Sequence, residues 1–225
     1  MLPRDLPEQV ERQRLSGLVV EGDIQREAFF DQALEFTGGV ELLKRVRLCE
    51  ETIPVRAGMR VALLSGLDEE AIGRCLAERV VPNPGAATLI RTMRVGGARA
   101  ILVTGGFVSF ADPIAKLLGF NAVRANRLLF DGSLLTGSVE DPIVDAQAKR
   151  DALIEAREEF GLKREETLAI GDGANDRLMV QEAGLGVAFR AKPALAEVAD
   201  ARLDHHGLDA LLWVQGIRKR DWVKA

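Results

Sequence analysis

Two acidic side chains in one short loop are the first residues in this chain whose types and spacing suggest chemistry. Asp172 and Asp176 both lie in the segment GDGAND, residues 171–176, directly after the apolar run LAI. Carboxylates this close, with Asn175 between them, suit a hard divalent cation, because Mg²⁺ prefers oxygen ligands and binds through one or two carboxylates plus a substrate phosphate. The alternative is a solvated turn in which Asn175 or Asp176 caps the next helix.

A second candidate site follows the apolar run ILV. There Thr104 is followed by Gly105 and Gly106, which places a hydroxyl and uncovered backbone N–H groups ahead of a predicted helix. An arrangement of this kind favours phosphate or another anion. The same residues also suit a tight strand-to-helix turn with a capping threonine, so both interpretations stay open at this point.

Lys149 is the candidate cation for such a site. It lies early in a predicted helix over residues 146–160, where a lysine is usually solvated. A phosphate site with clustered carboxylates nevertheless needs a fixed positive charge to hold it together. This requirement is the reason for considering Lys149.

A further pair of carboxylates, Glu21 and Asp23, follows the apolar run LVV at 18–20. Two acids one residue apart at the end of a strand suit a phosphotransferase, in which one carboxylate attacks phosphorus and the other transfers a proton. A solvated acidic turn has the same appearance in a sequence. The pair therefore gains meaning only from the other loops.

The elements that must position these loops alternate along most of the chain. From Pro82 onward, strands separated by helices predict an α/β fold with a parallel, doubly wound sheet. Residues 24–81 have a helical period and are predicted to form a small helical cap inserted after the first strand. The core then comprises residues 17–23 and 82–225, and residues 1–16 form an N-terminal arm. Ligands in such a sheet bind beyond the carboxyl ends of the strands.

Individual elements follow from the same pattern of apolar residues. Helices are predicted over 26–36, 68–80, 84–96, 110–120 and 146–160, strands over 98–106, 168–170, 184–189 and 201–205, and a hairpin over 128–137 that turns at Asp131–Gly132.

Composition argues against several classes of function. The chain has 225 residues, 47% hydrophobic and 28% charged, with a formal net charge of −4 and no Lys/Arg stripe, so neither nucleic acid nor an anionic membrane is an expected partner. No apolar stretch approaches the roughly 18–20 residues that span a bilayer, and the polar N-terminus is unlike a signal peptide. Cys49 and Cys75 lack metal-ligand spacing and are expected to be buried thiols in a cytoplasmic protein.

The three loops, in this order and spacing, make the sequence similar to the haloacid dehalogenase superfamily, and within it to the phosphoserine phosphatase branch. The resemblance covers residues 59–217 and implies a Rossmann-like core with a small helical cap over the active site. The segments that carry it are RVALLSGL (60–67), NPG (83–85), LVTGGF (102–107), RANRLLFDG (124–132), LLTGSVEDPI (134–143), AK (148–149), AIGDGAND (169–176), AGLGVAF (183–189), AKP (191–193) and LDHHGLDALLWVQG (203–216).

Within the core, the resemblance implies a phosphate site. Thr104 matches the family's hydroxyl ligand of the phosphoryl group, and Gly105 would donate its backbone N–H to the same phosphate. Lys149 matches the lysine that neutralises the phosphate and the nucleophile. Asn175 matches a residue that helps to arrange the substrate phosphate.

In the predicted cap, the resemblance implies contacts to the rest of the substrate. Arg60 matches the arginine that binds the carboxylate of phosphoserine, with a surface arginine as the alternative. Glu27 is the nearest candidate for the glutamate that contacts the substrate amine. The implied partner is a small phosphorylated metabolite, with phosphoserine favoured, and a homodimer is compatible with the sequence.

The family's nucleophile motif is an aspartate, a second aspartate two residues later, and then Ser or Thr; residues 1–60 contain no such D-x-D. The best placement puts Glu21 on the nucleophile and Asp23 on the acid/base. Ile24 and Gln25 then replace Ser and Thr. An alternative makes Asp23 the nucleophile and leaves Gln25 at the acid/base position. Glutamate in place of aspartate adds one methylene, about 1.5 Å of reach, and a misplacement of about 1 Å costs on the order of 100-fold in rate.

The resemblance also implies how Mg²⁺ would be held. Its ligands would be the carboxylate of Glu21, the backbone carbonyl of Asp23 and the carboxylate of Asp172. Asp176 would be the second acid of its loop and would support either the metal or the lysine.

The favoured function is a Mg²⁺-dependent phosphomonoesterase that converts O-phosphoserine to serine and phosphate, as in serine biosynthesis, through an acyl-phosphate. Two alternatives share the same residues. One is a weak or inactive homologue that binds a phosphorylated metabolite, which the altered nucleophile motif favours. The other is a phosphotransferase that passes the phosphoryl group to a small alcohol.

Overall fold

A six-stranded parallel sheet forms the centre of the molecule. The computed structural model describes residues 19–21 and 61–224. The sheet has the order β3-β2-β1-β6-β7-β8, and β4 and β5 form a separate antiparallel hairpin. In chain order the strands are β1 (Val19–Glu21), β2 (Ala100–Phe107), β3 (Ala122–Asn126), β4 (Leu128–Asp131), β5 (Leu134–Val139), β6 (Leu168–Gly171), β7 (Leu185–Phe189) and β8 (Ala201–Leu203).

Helices connect the strands of this sheet. None of the helices within residues 61–224 has the length and apolar character needed to cross a membrane. In the described part of the chain they are α1 (Glu69–Arg79), α2 (Ala86–Val95), α3 (Val108–Leu118), α4 (Ala146–Glu159), α5 (Arg177–Glu182), α6 (Pro193–Ala196) and α7 (Ala210–Val214), with short 3₁₀ turns at Arg164–Glu166, Ala174–Asp176 and Lys219–Asp221.

Aspartate caps determine where two of these helices begin. Oδ1 of Asp68 accepts a hydrogen bond from the N–H of Ala71 at 2.7 Å at the start of α1, and Oδ1 of Asp145 accepts from the N–H of Ala148 at 2.8 Å at the start of α4. Each cap satisfies a backbone donor that the helix itself leaves unpaired. The second cap places Lys149 near the beginning of α4.

Helices cover both faces of the sheet. Successive residues of a strand point to opposite faces, so neighbouring residues of β6 pack against different helices. Leu168 and Ile170 of β6 share one apolar cluster with Leu89 of α2. Ala169, which lies between them in the strand, belongs to a second cluster with Leu153 of α4. These clusters confirm the predicted α/β fold with a doubly wound parallel sheet.

One strand of the described sheet, β3, was not predicted. β3 is missing from the predicted elements because it is an edge strand whose residues, AVRAN, are exposed or half-buried; such a strand lacks the apolar run on which the prediction relied. β2 spans Ala100–Phe107, within two residues of the predicted 98–106, and ends directly before α3 begins.

The hairpin of β4 and β5 is joined to the segment that precedes α1. The N–H of Gly66 donates to the carbonyl of Leu135, and the N–H of Leu135 donates to the carbonyl of Leu67, both at 2.8 Å. Cys75 is buried below these strands in an apolar cluster with Phe110, as expected of a structural thiol. Cys49 and most of the predicted cap fall within residues 22–60, outside the described residues, so the division into cap and core stays a prediction.

Glu182 ties α4 to the end of α5. Its carboxylate accepts hydrogen bonds from Arg150 at 3.2 Å and from Arg157 at 3.0 Å, both on α4. Arg164 donates to the main-chain carbonyls of Gln181 and Glu182 at the same helix end. Burial raises the pKa of Glu182. The hydrogen bonds and positive charges of Arg157 and Arg150 lower it by more than burial raises it, so the pKa lies below its usual value.

Replacing Glu182 by glutamine is expected to lower the free energy of unfolding by about 1 kcal/mol at neutral pH, since the charge-assisted hydrogen bonds are lost. Because the folded-state pKa is lowered, the contribution of the carboxylate is present above the pKa of the unfolded chain and is lost as the pH falls through the folded value. Urea unfolding from about pH 7 to about pH 3 should show the difference in stability between the two proteins shrinking in acid. A difference that does not change with pH contradicts this role.

Candidate active site

The candidate active site lies at the carboxyl ends of three neighbouring strands. β1 runs between β2 and β6, and Glu21, the last residue of β1, is in register with Leu102 of β2 and with Ile170 of β6. Thr104 and Asp172 each come two residues after those partners. Because parallel strands point the same way, the predicted phosphate loop and the predicted metal loop lie on either side of the end of β1.

A buried ion pair links α4 to the metal loop. Nζ of Lys149 lies 2.6 Å from Oδ1 of Asp176, and both side chains are 0% exposed. An uncompensated charge at such a position would cost several kcal/mol, so the two opposite charges are needed together. The alternative interpretation of Lys149 as a solvated helix residue is wrong.

The other oxygen of Asp176 shapes the loop itself. Oδ2 accepts hydrogen bonds from the backbone N–H groups of Asp172 and Gly173, both at 3.1 Å. The side chain of Asp176 makes no capping hydrogen bond to α5, which is fully described, but its bond from the N–H of Gly173 caps the 3₁₀ turn Ala174–Asp176. Because the carboxylate is 0% exposed, the interpretation of this loop as a solvated turn is wrong. Asp176 supports the lysine and the loop, and its direct ligation of a metal stays a prediction.

The glycines on either side of Asp172 leave room for these contacts. A Cβ atom on Gly171 would overlap the Cβ of Asp176 and lie 2.8 Å from its Oδ2, and a Cβ on Gly173 would lie 2.7 Å from Oδ1 of Asn175. Both approaches are closer than real Cβ atoms make. The G-D-G pattern therefore follows from the folding of Asp176 and Asn175 back over the loop.

Asp172 is held through its main chain on both sides. Its N–H donates to Asp176, and its carbonyl accepts from the N–H of Lys192 at 2.9 Å. Lys192 is itself fixed at the start of α6, where Pro193 occupies the first turn. The direction in which the Asp172 carboxylate leaves the strand end is thus set by the backbone.

Thr104 lies in a bulge of β2. The register of β2 against β3 shifts between Val103 and Phe107, so the residues between them leave the regular ladder. Thr104 is 1% exposed, and its Oγ1 accepts a hydrogen bond from the N–H of Gly106 at 2.9 Å. A hydroxyl that accepts one hydrogen bond can still donate another, as the predicted contact to a phosphoryl oxygen requires.

Asn126 contacts the site through Gly105, although its residue type and position in the sequence indicate no role. Its Nδ2 donates to the carbonyl of Gly105 at 2.8 Å, and its Oδ1 accepts from the N–H of Val144 at 2.7 Å. These partners are 21 and 18 residues away in the sequence. A single asparagine in a polar edge strand carries no signal of such contacts, except that it lies in the segment RANRLLFDG of the resemblance.

The structure brings together only some of the predicted site residues. Asn175 is half-buried in the 3₁₀ turn that contains Asp176. The backbone of Glu21 ends β1 beside them. Those that lie in the two loops or contact them are Thr104, Gly105, Lys149, Asp172, Asn175 and Asp176. Asp23, Glu27 and Arg60 lie outside the described residues, and their roles stay predictions.

The chemistry of the Asp172 loop fits Mg²⁺. Carboxylate and carbonyl oxygens are the donors this cation takes, and it commonly uses only one or two carboxylates together with water and substrate phosphate. Among residues 61–224, no group of three or more His, Cys, Asp and Glu side chains is arranged to hold a metal. A cation bound at Asp172 would complete its coordination with other oxygen donors, such as substrate phosphate, water, Asp176 or the first acidic segment.

Lys149 and Asp176 are expected to depend strongly on each other. Lys149→Met and Asp176→Asn should each lower the free energy of unfolding by about 3–5 kcal/mol, because each leaves a buried charge uncompensated. The double variant should lose markedly less than the sum of the two, since it removes both charges. Urea unfolding of the four proteins measures this coupling, and additive losses would show that the two charges do not interact.

Comparison with known proteins finds similarity over a region that includes the loops at Thr104 and Asp172. The family model of haloacid dehalogenase-like hydrolases matches residues 26–181. The chain is 46% identical over 160 residues to phosphoserine phosphatase SerB2 of Mycobacterium tuberculosis, covering 71% of this chain but only 39% of that protein. It is 35% identical over 217 residues to a probable phosphoserine phosphatase of Schizosaccharomyces pombe, covering 96% of this chain and 69% of that protein.

Among solved structures, a phospho-aspartyl intermediate analogue of phosphoserine phosphatase superposes with a TM-score of 0.77 at 30% identity, over 88% of this chain and 97% of that chain. The family match begins after Glu21 and Asp23 and includes the loops at Thr104 and Asp172. The predicted resemblance to the haloacid dehalogenase superfamily, in its phosphoserine phosphatase branch, is confirmed. The chain belongs to the family of haloacid dehalogenase-like hydrolases.

Proposed function

We propose that this chain is a Mg²⁺-dependent phosphomonoesterase that hydrolyses O-phosphoserine to serine and inorganic phosphate. The observation that carries the proposal is the buried pair of Lys149 and Asp176 beside a strand end that bears Asp172, with the Thr104 bulge two strands away in the sheet. The names of the relatives in Mycobacterium tuberculosis and Schizosaccharomyces pombe support phosphoserine as the substrate.

Charge explains why this arrangement suits a phosphate ester. Transfer of a phosphoryl group is catalysed mainly by positioning the group and by stabilising the charge on its oxygens. Lys149 is held in place by Asp176, so its ammonium needs no reorganisation when a phosphate dianion binds. Thr104 and the backbone of Gly105 would supply hydrogen bonds to the same oxygens from a bulge that is itself fixed.

The reacting carboxylates are proposed to come from the first acidic segment. Glu21 would attack phosphorus, forming a bond between its carboxylate oxygen and phosphorus while the bond to the serine oxygen breaks. Asp23 would give its proton to the departing serine oxygen and then take one from the water that attacks the acyl-phosphate, which releases inorganic phosphate and restores Glu21. The solved phospho-aspartyl analogue of a phosphoserine phosphatase supports a carboxylate as phosphoryl acceptor.

Mg²⁺, held by Asp172 together with Glu21 and the backbone of Asp23, would supply positive charge that neutralises the phosphoryl oxygens. The amino-acid part of the substrate is assigned to Arg60 for its carboxylate and to Glu27 for its amine. With this assignment, the substrate is a small phosphorylated metabolite, and the proposed enzyme acts in serine biosynthesis in the cytoplasm.

Purified protein supplied with Mg²⁺ and O-phosphoserine is expected to release inorganic phosphate, and excess EDTA should abolish the release. Asp172→Asn should lower the rate at least roughly 100-fold, because a neutral amide is a poor ligand for Mg²⁺. Phosphate release is measured by a coupled colorimetric assay at saturating substrate.

Asp221→Asn is the matched control for this substitution. Asp221 lies in the C-terminal 3₁₀ turn and pairs with Arg218 at the surface, so its loss should leave the rate unchanged. Equal rates in the wild type and in Asp172→Asn would exclude a phosphatase that uses this loop.

Glutamate at position 21 favours a second candidate, a homologue that binds a phosphorylated metabolite with little turnover. Its additional methylene misplaces the attacking oxygen relative to aspartate, while leaving phosphate binding possible in charge and shape. Such a protein would be stabilised against heat by phosphoserine and Mg²⁺ without releasing phosphate.

Restoring the family motif tests both candidates together. The triple variant Glu21→Asp, Ile24→Ser, Gln25→Thr is expected to raise kcat by roughly tenfold or more, because the shorter side chain returns the attacking oxygen to the position that the family motif gives it. The comparison is made at equal thermal stability and saturating Mg²⁺. An unchanged or lower kcat would contradict the placement of Glu21 as the nucleophile.

A further inference from the structure

We propose that Asn126 is a positioning residue that couples the phosphate-binding bulge to the helix that carries Lys149. The inference deepens the proposed phosphatase function and rests on it. Its basis is the side-chain amide of Asn126, which bridges the carbonyl of Gly105 and the N–H of Val144.

In the bulge, this amide holds the peptide unit between Gly105 and Gly106 in one orientation. The carbonyl of Gly105 accepts from Nδ2 of Asn126 at 2.8 Å, and the N–H of the same peptide unit, on Gly106, donates to Oγ1 of Thr104 at 2.9 Å. A peptide unit is planar, so holding both of its polar groups fixes its orientation. Glycine residues have wide backbone freedom, and this bulge contains two in succession.

On the helix side, the amide holds the residue directly before the cap of α4. Oδ1 of Asn126 accepts from the N–H of Val144, and the next residue, Asp145, caps α4 through the N–H of Ala148. The carbonyl of Asp145 accepts the N–H of Lys149 at 3.1 Å. The start of α4, and with it the base of the Lys149 side chain, is therefore tied to the bulge through one asparagine.

The connection continues to the metal loop. Lys149 donates to Asp176 at 2.6 Å, and Asp176 accepts the N–H of Asp172 at 3.1 Å. A continuous chain of hydrogen bonds and one helix turn thus runs from Gly105 through Asn126 and α4 to Asp172. The two proposed phosphate-binding groups, the Gly105 bulge and Lys149, therefore share a single framework with the proposed metal ligand Asp172.

Only a side chain with a donor and an acceptor in amide geometry fits between these partners. Nδ2 faces a carbonyl oxygen and Oδ1 faces an N–H, so the orientation of the amide is determined by its surroundings. Aspartate has the same shape, but it would keep the bond to Val144 and place an oxygen against the carbonyl of Gly105. Asn126→Asp therefore releases the bulge while leaving the tie to α4 in place.

The measurable signature of this role is a loss of catalysis larger than the loss of stability. Two half-buried hydrogen bonds contribute modestly to folding, whereas a misplacement of about 1 Å at a reacting group costs on the order of 100-fold in rate. A residue that only supported the edge strand would change both quantities in proportion.

Asn121 provides the matched control. Its Oδ1 accepts the N–H of Ala100 at 2.9 Å, so it joins β2 to the start of β3 as Asn126 joins β2 to the end of β3. The two asparagines therefore support the same pair of strands at opposite ends, and only Asn126 lies at the proposed site.

The experiment compares the wild type with Asn126→Asp, Asn126→Ala and Asn121→Ala in the full chain. kcat and KM for O-phosphoserine, the inhibition constant of inorganic phosphate and the Tm are measured for each. Both Asn126 variants are expected to lower kcat roughly 10–100-fold and to weaken inhibition by phosphate. Asn121→Ala should lower the Tm to a similar extent while changing kcat less than about twofold.

Two results would overturn the inference: Asn126 variants that keep the wild-type kcat and phosphate inhibition, or an Asn121→Ala variant that loses as much activity as the Asn126 variants at a similar fall in Tm. A wild-type protein that does not hydrolyse phosphoserine would overturn the proposed function instead. In that case calorimetric titration with inorganic phosphate decides the inference, which requires binding by the wild type and weaker binding by Asn126→Asp. Failure of the wild type to bind phosphate would overturn both.

Discussion

The ion pair of Lys149 and Asp176 is the interaction on which the rest of the site depends. It is wholly buried, and the Coulomb attraction of two such charges is large only because water is excluded. One oxygen of Asp176 serves the lysine and the other holds the backbone of Asp172 and Gly173. The same carboxylate therefore sets both the position of the cation and the course of the proposed metal loop.

The sheet places the loops at Thr104 and Asp172 on either side of the end of β1 and so determines what surrounds this ion pair. β1 is paired on one side with the strand that leads to Thr104 and on the other with the strand that leads to Asp172. Parallel order makes these ends converge on one edge, and the α4 helix, packed on Ala169 and Val103 through its buried face, brings the lysine to it. The order of the strands in the sheet brings together residues of the candidate site that are far apart in the sequence.

The sequence allowed much of this to be predicted because apolar runs mark the inner strands and because Gly, Asp and Thr cluster at their ends. β3 escaped because an exposed edge strand lacks an apolar run. The role of Asn126 could not be predicted, because its two partners are distant in the sequence and are backbone groups, which do not depend on residue type. The reasons for the G-D-G pattern likewise required the side chain of Asp176 to be seen folded over Gly171.

In the proposed phosphatase, this framework serves transfer of a phosphoryl group to a carboxylate at the end of β1. Rapid acid quenching during turnover of phosphoserine labelled in its phosphate, followed by peptide mapping, tests it most directly. A phosphorylated peptide that contains Glu21 is expected, and hydroxylamine should release its phosphate as it does from an acyl-phosphate. Steady release of phosphate while that peptide stays unlabelled at every quench time, or label on a peptide that contains Thr104 instead, would contradict it.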